Sequence, residues 1–342
     1  MAHSIVAITP VAHPGGAEMV MLRLLRWLGG RGWDVTLTSP GPGLLAELTE
    51  ADGHRWAALP VGGLPAGTGA AAARSWPRAR RLARDNDVVY LNAAVCGRLL
   101  PALPSGGGLR VLHIHDMVDR VPRFWRRADL VLAASQAVAD RLEGLDAHVV
   151  YGPVDLDPPE TTPPWPAGNG PVVGFMGRIE RRKGPLDLVH AAPAIRRGAP
   201  GARVVVVGED PYGSDPAYTR SVTESPEIEH YPWVENAPGV MRHLDVLVLP
   251  SYNEPFGTVL AEAMAVGTPV VAGAVDGLPE VVDDGVTGRL VAPGDPDSIA
   301  AAVLDVLSRQ AEMGAAARRH ARRFATETYC AQLEALIASR LG

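Results

Sequence analysis

Short runs centred on Val, Ile or Leu recur along the chain, and most gaps between them are long enough for a crossover helix. In the first half they predict strands near residues 4–9, 34–39, 55–60, 87–92, 110–115, 129–134 and 147–151. In the second half they predict strands near 172–177, 203–208, 228–231, 245–250, 269–272 and 288–291. Helical spacing of apolar residues predicts helices over 184–197, 257–266, 297–309 and 311–323, and a further one after the first strand through Val20, Leu24, Leu25 and Leu28. Strands alternating with helices from end to end are the pattern of parallel α/β sheets. Residues 152–171, GPVDLDPPETTPPWPAGNGP, break the rhythm, because so many prolines exclude a helix or a central strand. The expected fold class is therefore α/β, with two doubly wound, Rossmann-like domains. Residues 1–155 form the first, 156–170 a Pro-rich linker and 171–325 the second, with 326–342 as a terminal segment. An Ala/Gly-rich loop over 62–73 is the one biased tract, and there is no internal repeat.

Length and charge narrow the picture. A chain of 342 residues fits two domains. Its formal net charge of −6 argues against a nucleic-acid surface, which needs a basic face. Cys96 and Cys330 are too few for a disulfide framework or a zinc site and are expected as free thiols. The start, MAHSIVAITPV, lacks a basic region ahead of an apolar stretch, so no secretory leader is expected. No apolar run approaches the roughly 18 residues of a membrane span. Cytoplasmic location is the resulting expectation, with no membrane insertion and no nucleic-acid partner.

Among 32 basic residues, Lys183 is the only lysine. A GC-rich genome replaces lysine by arginine wherever positive charge alone suffices. A surviving lysine thus points to a place where a compact ammonium is needed and a planar guanidinium is inadequate, as towards phosphate. Lys183 stands in GFMGRIERRKGPLDLVHA, where a strand ends at Gly177-Arg178 and Lys183-Gly184-Pro185 opens a helix.

Residues 249–273, LPSYNEPFGTVLAEAMAVGTPVVAG, carry the most specific signal. An apolar strand ends at Pro250, a polar loop follows, and a helix begins near Pro255. On that start Glu254 and Glu262, eight residues apart, lie about two helical turns from one another. A strand, a Gly-bearing turn and a helix N-terminus form an anion site at Phe256, Gly257 and Thr258. Carboxylates beside it suit hydroxyls, so the combination reads as a nucleotide-sugar pocket. The string Glu254 to Gly257, then Glu262 to Ala265, then Gly267 to Ala272 resembles the signature of retaining glycosyltransferases of the GT-B fold, specifically glycosyltransferase family 4.

That resemblance implies two Rossmann-like domains facing across a cleft, acceptor side first and donor side second, with 326–342 crossing back to the first domain. It implies that Arg178 and Lys183 hold the donor diphosphate, with Arg181 and Arg182 between them solvated. It places Glu262 on ribose hydroxyls and Glu254 on hydroxyls of the donor sugar. Gly208 walls the nucleotide pocket, and the Trp233-Val234 backbone faces the base, although Pro232 departs from the family's usual glycine there. Gly277 to Val282 is structural in the family. In the first half Gly15, Gly16 and Glu18 match a family turn facing the donor phosphates, and His115-Asp116 matches a strand end whose histidine lies beside the donor sugar. His113 sits on the same strand face, one step deeper. Arg178, Lys183, Glu254 and His115 are thus the expected catalytic residues. No Asp-x-Asp pair stands near the pocket, so no metal is expected and fixed cations would stabilise the leaving diphosphate.

The expected activity is transfer of a hexose or N-acetylhexosamine from a nucleotide diphosphate sugar, UDP-linked first, to a hydroxyl. Front-face attack and an enzyme nucleophile both fit these residues. A compact, loop-poor first half leans towards a small acceptor, such as an antibiotic's aminocyclitol or a sugar. The alternatives are a cell-envelope lipid or polysaccharide acceptor, an epimerase or hydrolase on the same scaffold, and a silent nucleotide-sugar binder. Arg120, Arg123, Arg126 and Arg127 around Phe124 and Trp125 form either a solvated face or an acceptor loop. Trp76 with Arg78, Arg80, Arg81 and Arg84 could touch a membrane surface, but one short basic helix in an acidic chain argues against it.

Overall fold

The computed structural model describes residues 3–62 and 69–341, which form two compact units. Unit 1 comprises Met1–Pro153 with Thr326–Gly342, and unit 2 comprises Val154–Ala325.

The strands of unit 1 are β1 (Ser4–Ile8), β2 (Asp34–Ser39), β3 (Arg55–Ala58), β4 (Val88–Asn92), β5 (Leu109–Ile114), β6 (Leu130–Ala133) and β7 (Ala147–Val149). They form one seven-stranded sheet in the order β3-β2-β1-β4-β5-β6-β7, with every pairing parallel. Helices α1 (Gly16–Gly30), α2 (Leu44–Ala51), α3 (Gly69–Asp85) and α4 (Gln136–Asp140) connect them. A parallel sheet covered on both faces needs strands that are apolar throughout, which is why β4 reads VVYLN and is buried along its whole length. Alternation sends Ile5, Ala7, Val88 and Tyr90 into a core with α1, and sends Val6, Ile8, Val89 and Leu91 into a second core with Ala79, Leu99 and Trp125. The tract expected as a loop over 62–73 divides. Residues 63–68 lie outside the described residues, and Gly69 onward belongs to α3.

Unit 2 repeats the plan with β8 (Val172–Met176), β9 (Arg203–Val207), β10 (Glu229–Tyr231), β11 (Val246–Leu249), β12 (Val270–Gly273) and β13 (Gly288–Val291). Its six-stranded parallel sheet runs β10-β9-β8-β11-β12-β13. The helices are α5 (Pro185–Gly198), α6 (Pro216–Thr223), α7 (Ala237–Met241), α8 (Thr258–Ala265), α9 (Leu278–Val281), α10 (Pro296–Ser308) and α11 (Gln310–His320). Sequence patterning missed α6, α7 and α9. All three begin with a proline in the first turn, next to Asp215, Asn236 and Gly277, so their composition reads as loop. The Pro-rich stretch is packed within unit 2, with Val154 and Trp165 buried and the Trp165 ring 6.0 Å from that of Tyr231. The chain ends in α12 (Thr326–Leu341), whose Tyr329, Cys330, Leu333 and Ile337 enter the α1-side core of unit 1.

Strand order reverses direction between β1 and β4 in unit 1 and between β8 and β11 in unit 2. Ligands of open parallel sheets bind at the carboxyl ends of strands at such a switch point. Each unit therefore has one switch point at which a ligand site is expected.

Candidate active site

In unit 2 the switch point lies where β8 and β11 end. A 3₁₀ turn over Arg181–Lys183 leads to Gly184, whose left-handed backbone (φ 68°) starts α5. A side chain at Gly184 would place its Cβ 2.4 Å from the Pro250 carbonyl oxygen, so glycine is what lets this turn rest on the end of β11. Tyr252 N–H donates to the Arg182 carbonyl at 2.8 Å, tying the two loops together. As a result Lys183 Nζ sits 2.5 Å from Glu254 Oε2, with both side chains largely buried. Two residues 71 apart in sequence thus form one ion pair at the switch point.

Glu254 is held from behind. Its N–H donates to Asp276 Oδ2 at 3.0 Å, and its carbonyl accepts from Gly277 N–H at 3.1 Å. Asp276 has a positive φ of 45°, unusual outside glycine and a mark of locally stored strain. The stretch Gly277 to Val282 therefore orients a site carboxylate in addition to forming α9. Asp276 escaped the sequence reading, although its Asp-Gly turn was visible.

Arg182 corrects an expectation. Its guanidinium donates to the Asn253 carbonyl at 3.1 Å, pairs with Glu180 at 2.8 Å and lies 3.6 Å from Glu254 Oε2. It belongs to the cluster rather than to solvent, because the 3₁₀ turn points residues 181 and 182 in different directions. Arg181 is exposed and pairs with Asp215 at 2.7 Å. Arg178 lies 3.4 Å from Glu180, with its guanidinium carbon 5.8 Å from the Tyr212 ring centroid.

The helix after Glu254 starts later than expected. Gly257 takes a left-handed backbone (φ 84°) and α8 begins at Thr258. Glu254 is therefore a loop residue, and the two-turn relation to Glu262 does not hold. Glu262 sits half-buried on α8. Phe256 is an anchor, buried and edge-on to Phe324 with ring centroids 5.5 Å apart. Gly208 ends β9. Trp233 is 57% exposed and Val234 half-exposed on the loop after the edge strand β10, and the described contacts do not bring them to the Lys183–Glu254 pair.

In unit 1 the switch point lies where β1 and β4 end, beside the start of α1. Glu18 is buried there. Its Oε2 accepts from Gly15 N–H at 2.9 Å, and its Oε1 accepts from Thr9 Oγ1 at 3.0 Å and Asn92 Nδ2 at 3.4 Å. Gly15 caps α1 and Gly16 is its first residue. The other end of the Asn92 amide, Oδ1, lies 3.0 Å from His115 Nε2. His115 stacks on His113 with centroids 3.8 Å apart, and the Tyr90 hydroxyl bonds His113 Nδ1. Neither Thr9 nor Asn92 was expected in the site. Thr9 directly follows the apolar run of β1 and Asn92 is the one polar residue closing β4, and that change of character was the available signal.

Burial pushes His115 down to about 4, and burial together with the His115 ring pushes His113 well below the ordinary histidine value. Burial raises Glu18 above the usual carboxylate range, against the opposing bonds from Gly15 and Thr9. The unfolded chain takes up histidine protons near pH 6.5, whereas folded His115 does so only near 4, so its contribution is lost as pH falls between those values. Glu18 acts oppositely and offsets part of this. His115 alone is expected to remove about 2 kcal/mol of unit 1 stability between about pH 7 and pH 5. Urea titrations of wild type and His115→Ala at the two pH values check this, and the same pH-dependent shift of the midpoint in both proteins would refute it.

Among the described residues no group of His, Cys, Asp and Glu has the arrangement of a metal site, and no helix is long and apolar enough to cross a membrane. Both cysteines are free and buried.

Comparison with known proteins identifies the family. The model described as Glycosyltransferase Family 4 matches residues 14–158, and the model described as Glycosyl transferases group 1 matches residues 170–309. The chain belongs to glycosyltransferase family 4. This family-4 chain is 37% identical over 178 residues to the D-inositol 3-phosphate glycosyltransferase of Corynebacterium efficiens, which covers 48% of the chain and 42% of that relative. It is 41% identical over 169 residues to the enzyme of the same name from Geodermatophilus obscurus, covering 46% and 37%. The chain thus spans less than half the length of these curated relatives. In fold, the family-4 chain is similar to Anabaena HepE solved with UDP and glucose, with a TM-score of 0.82, 23% identity and 98% and 99% of the two chains covered. Two parallel-sheet Rossmann-like domains of seven and six strands are the GT-B fold.

Proposed function

We propose that the chain is a retaining, metal-independent glycosyltransferase that moves a hexose or N-acetylhexosamine from a UDP-linked donor to a hydroxyl of a small acceptor. The observation that carries this reading is the Lys183–Glu254 pair at the β8/β11 switch point, set inside the signature of the family. Lys183, Arg178 and the first amides of α8 form a cationic seat for a diphosphate. When a diphosphate arrives, it takes over the ammonium that Glu254 now neutralises. That exchange frees the carboxylate to accept from sugar hydroxyls. Glu262 is assigned to the ribose, where two carboxylate oxygens accept from two vicinal hydroxyls. His115 is assigned to the transferred sugar, and the loop backbone at Trp233 and Val234 to the base.

The named activity of the curated relatives, on an inositol phosphate, supports a cyclic polyol as acceptor class. An antibiotic's aminocyclitol, or a sugar, falls in that class. The test is a donor-by-acceptor screen read by mass spectrometry, with the product's anomeric configuration read by NMR. An α-linked donor is expected to give an α-linked product, and EDTA is expected to leave the rate nearly unchanged. A β-linked product would refute retention, and a rate lost in EDTA but restored by magnesium would refute the metal-independent account. Donor consumption that needs no acceptor would favour the hydrolase or epimerase reading.

A further inference from the structure

We propose that Glu18 and Asn92 are positioning residues that hold His115 as the tautomer protonated on Nε2, so that Nδ1 is offered only as a hydrogen-bond acceptor to a hydroxyl of the sugar. The role towards sugar rests on the transferase reading above, whereas the tautomer rests on unit 1 alone.

One chain of donors and acceptors fixes the proton. Gly15 N–H can only donate, so Glu18 must accept at Oε2, and Thr9 and Asn92 occupy Oε1. The bonds from Gly15 and Thr9 oppose the burial that raises Glu18 and favour its ionised form, which has no proton to give. Asn92 must therefore turn its NH2 towards Glu18, which leaves its oxygen, Oδ1, facing His115 Nε2 at 3.0 Å. An amide oxygen only accepts, so Nε2 carries the proton. A neutral imidazole has one proton, and Nδ1 is then a lone pair.

The ring has little freedom to escape this assignment. One face is covered by His113 at 3.8 Å, and His113 is itself held by the Tyr90 hydroxyl. Residues from the β1 end (Thr9), the α1 start (Gly15, Glu18), the β4 end (Asn92) and the β5 end (His115) thus converge to set one proton's position. Burial, which holds the ring neutral, is what gives the tautomer meaning, since a protonated ring donates from both nitrogens.

The experiment uses the full chain labelled with 15N-histidine, read by long-range 1H–15N correlation at neutral pH without substrate. Wild type is expected to show His115 protonated at Nε2. Asn92→Leu, of similar shape but without the amide, is expected to lose the single tautomer and to lower kcat about 10-fold, with donor KM little changed. Asn92→Asp discriminates a space-filling role from a positioning one. Two carboxylates at this distance share a proton, so the carboxylate that Asn92→Asp introduces can still accept from Nε2, and the tautomer is expected to persist. Nδ1 protonation in wild type, or one unchanged tautomer in Asn92→Leu, would overturn the proposal. A fold-only role predicts the reverse order, with Asn92→Leu tolerated and Asn92→Asp disruptive, and that order would also overturn it. Nε2 protonation in a chain that turns over no nucleotide sugar would instead remove the transferase reading and the hydroxyl-acceptor role with it.

Discussion

Lys183→Ala is expected to lower sugar transfer by about a thousandfold and to weaken UDP binding, while the protein stays folded. On the proposed reading the ammonium supplies a point charge where a leaving diphosphate develops negative charge, a contribution that grows in a partly dry site. Its removal orphans Glu254, whose side chain is only 10% exposed, but Arg182 already stands 3.6 Å from the same carboxylate oxygen and can take over the pairing. The melting temperature is therefore expected to move by only a few degrees. Lys183→Arg is the sharper variant. The longer planar guanidinium has to fit where an ammonium now lies 2.5 Å from Glu254 and Arg182 crowds from the other side. Initial rates, UDP calorimetry and thermal melting measure the three effects. Full activity in Lys183→Arg would show that the lone lysine is not selected by function.

Gly208→Ala is expected to destabilise unit 2 by about 3 kcal/mol or more. Gly208 has φ 143°, and a Cβ there would lie 1.9 Å from the Gly177 carbonyl oxygen. Neither atom is on a flexible side chain, so the backbones must part. Those backbones are bonded beyond the ends of β8 and β9, from Gly177 N–H to the Val207 carbonyl at 3.0 Å and from Ile179 N–H to the Glu209 carbonyl at 2.9 Å. The Gly208 N–H also donates to the Tyr231 carbonyl at 3.0 Å. Separating β8 from β9 would displace Arg178 as well, so activity should fall alongside stability. Gly201→Ala is the matched control, with φ 83° and its nearest neighbour the Gly170 Cα at 3.9 Å. It carries backbone strain without a clash and is expected to cost only about 1–2 kcal/mol. Similar urea midpoints in the two variants would contradict the steric account.

Much of this architecture was legible in the order of residues. The two sets of apolar runs, the proline-rich break and the long gaps between strands specify two parallel α/β sheets, because a strand buried on both faces has to be apolar along its length. The signature from Glu254 to Ala272 pointed to the family, and the lone Lys183 to the residue that pairs with Glu254 at the switch point. Both signals are local, carried by residue type at short spacing. In unit 1 the legible part was smaller, the Gly15-Gly16 turn and a histidine at a strand end.

What tertiary structure alone decided is which side chains meet. Lys183 and Glu254 pair because Gly184 lets one loop rest on the end of β11, and nothing in the spacing of 71 residues announces it. Arg182 joins the cluster and Arg181 leaves it on the strength of one 3₁₀ turn. The left-handed backbone of Gly257 moved the helix start and took Glu254 off the helix. Asn92 became the link between Glu18 and His115 only through strand order, which sets β4 between β1 and β5. Periodicity reports the face a residue occupies and cannot report its partner. Partner choice follows from strand order and from a few backbone angles, and those are settled by packing over the whole sheet.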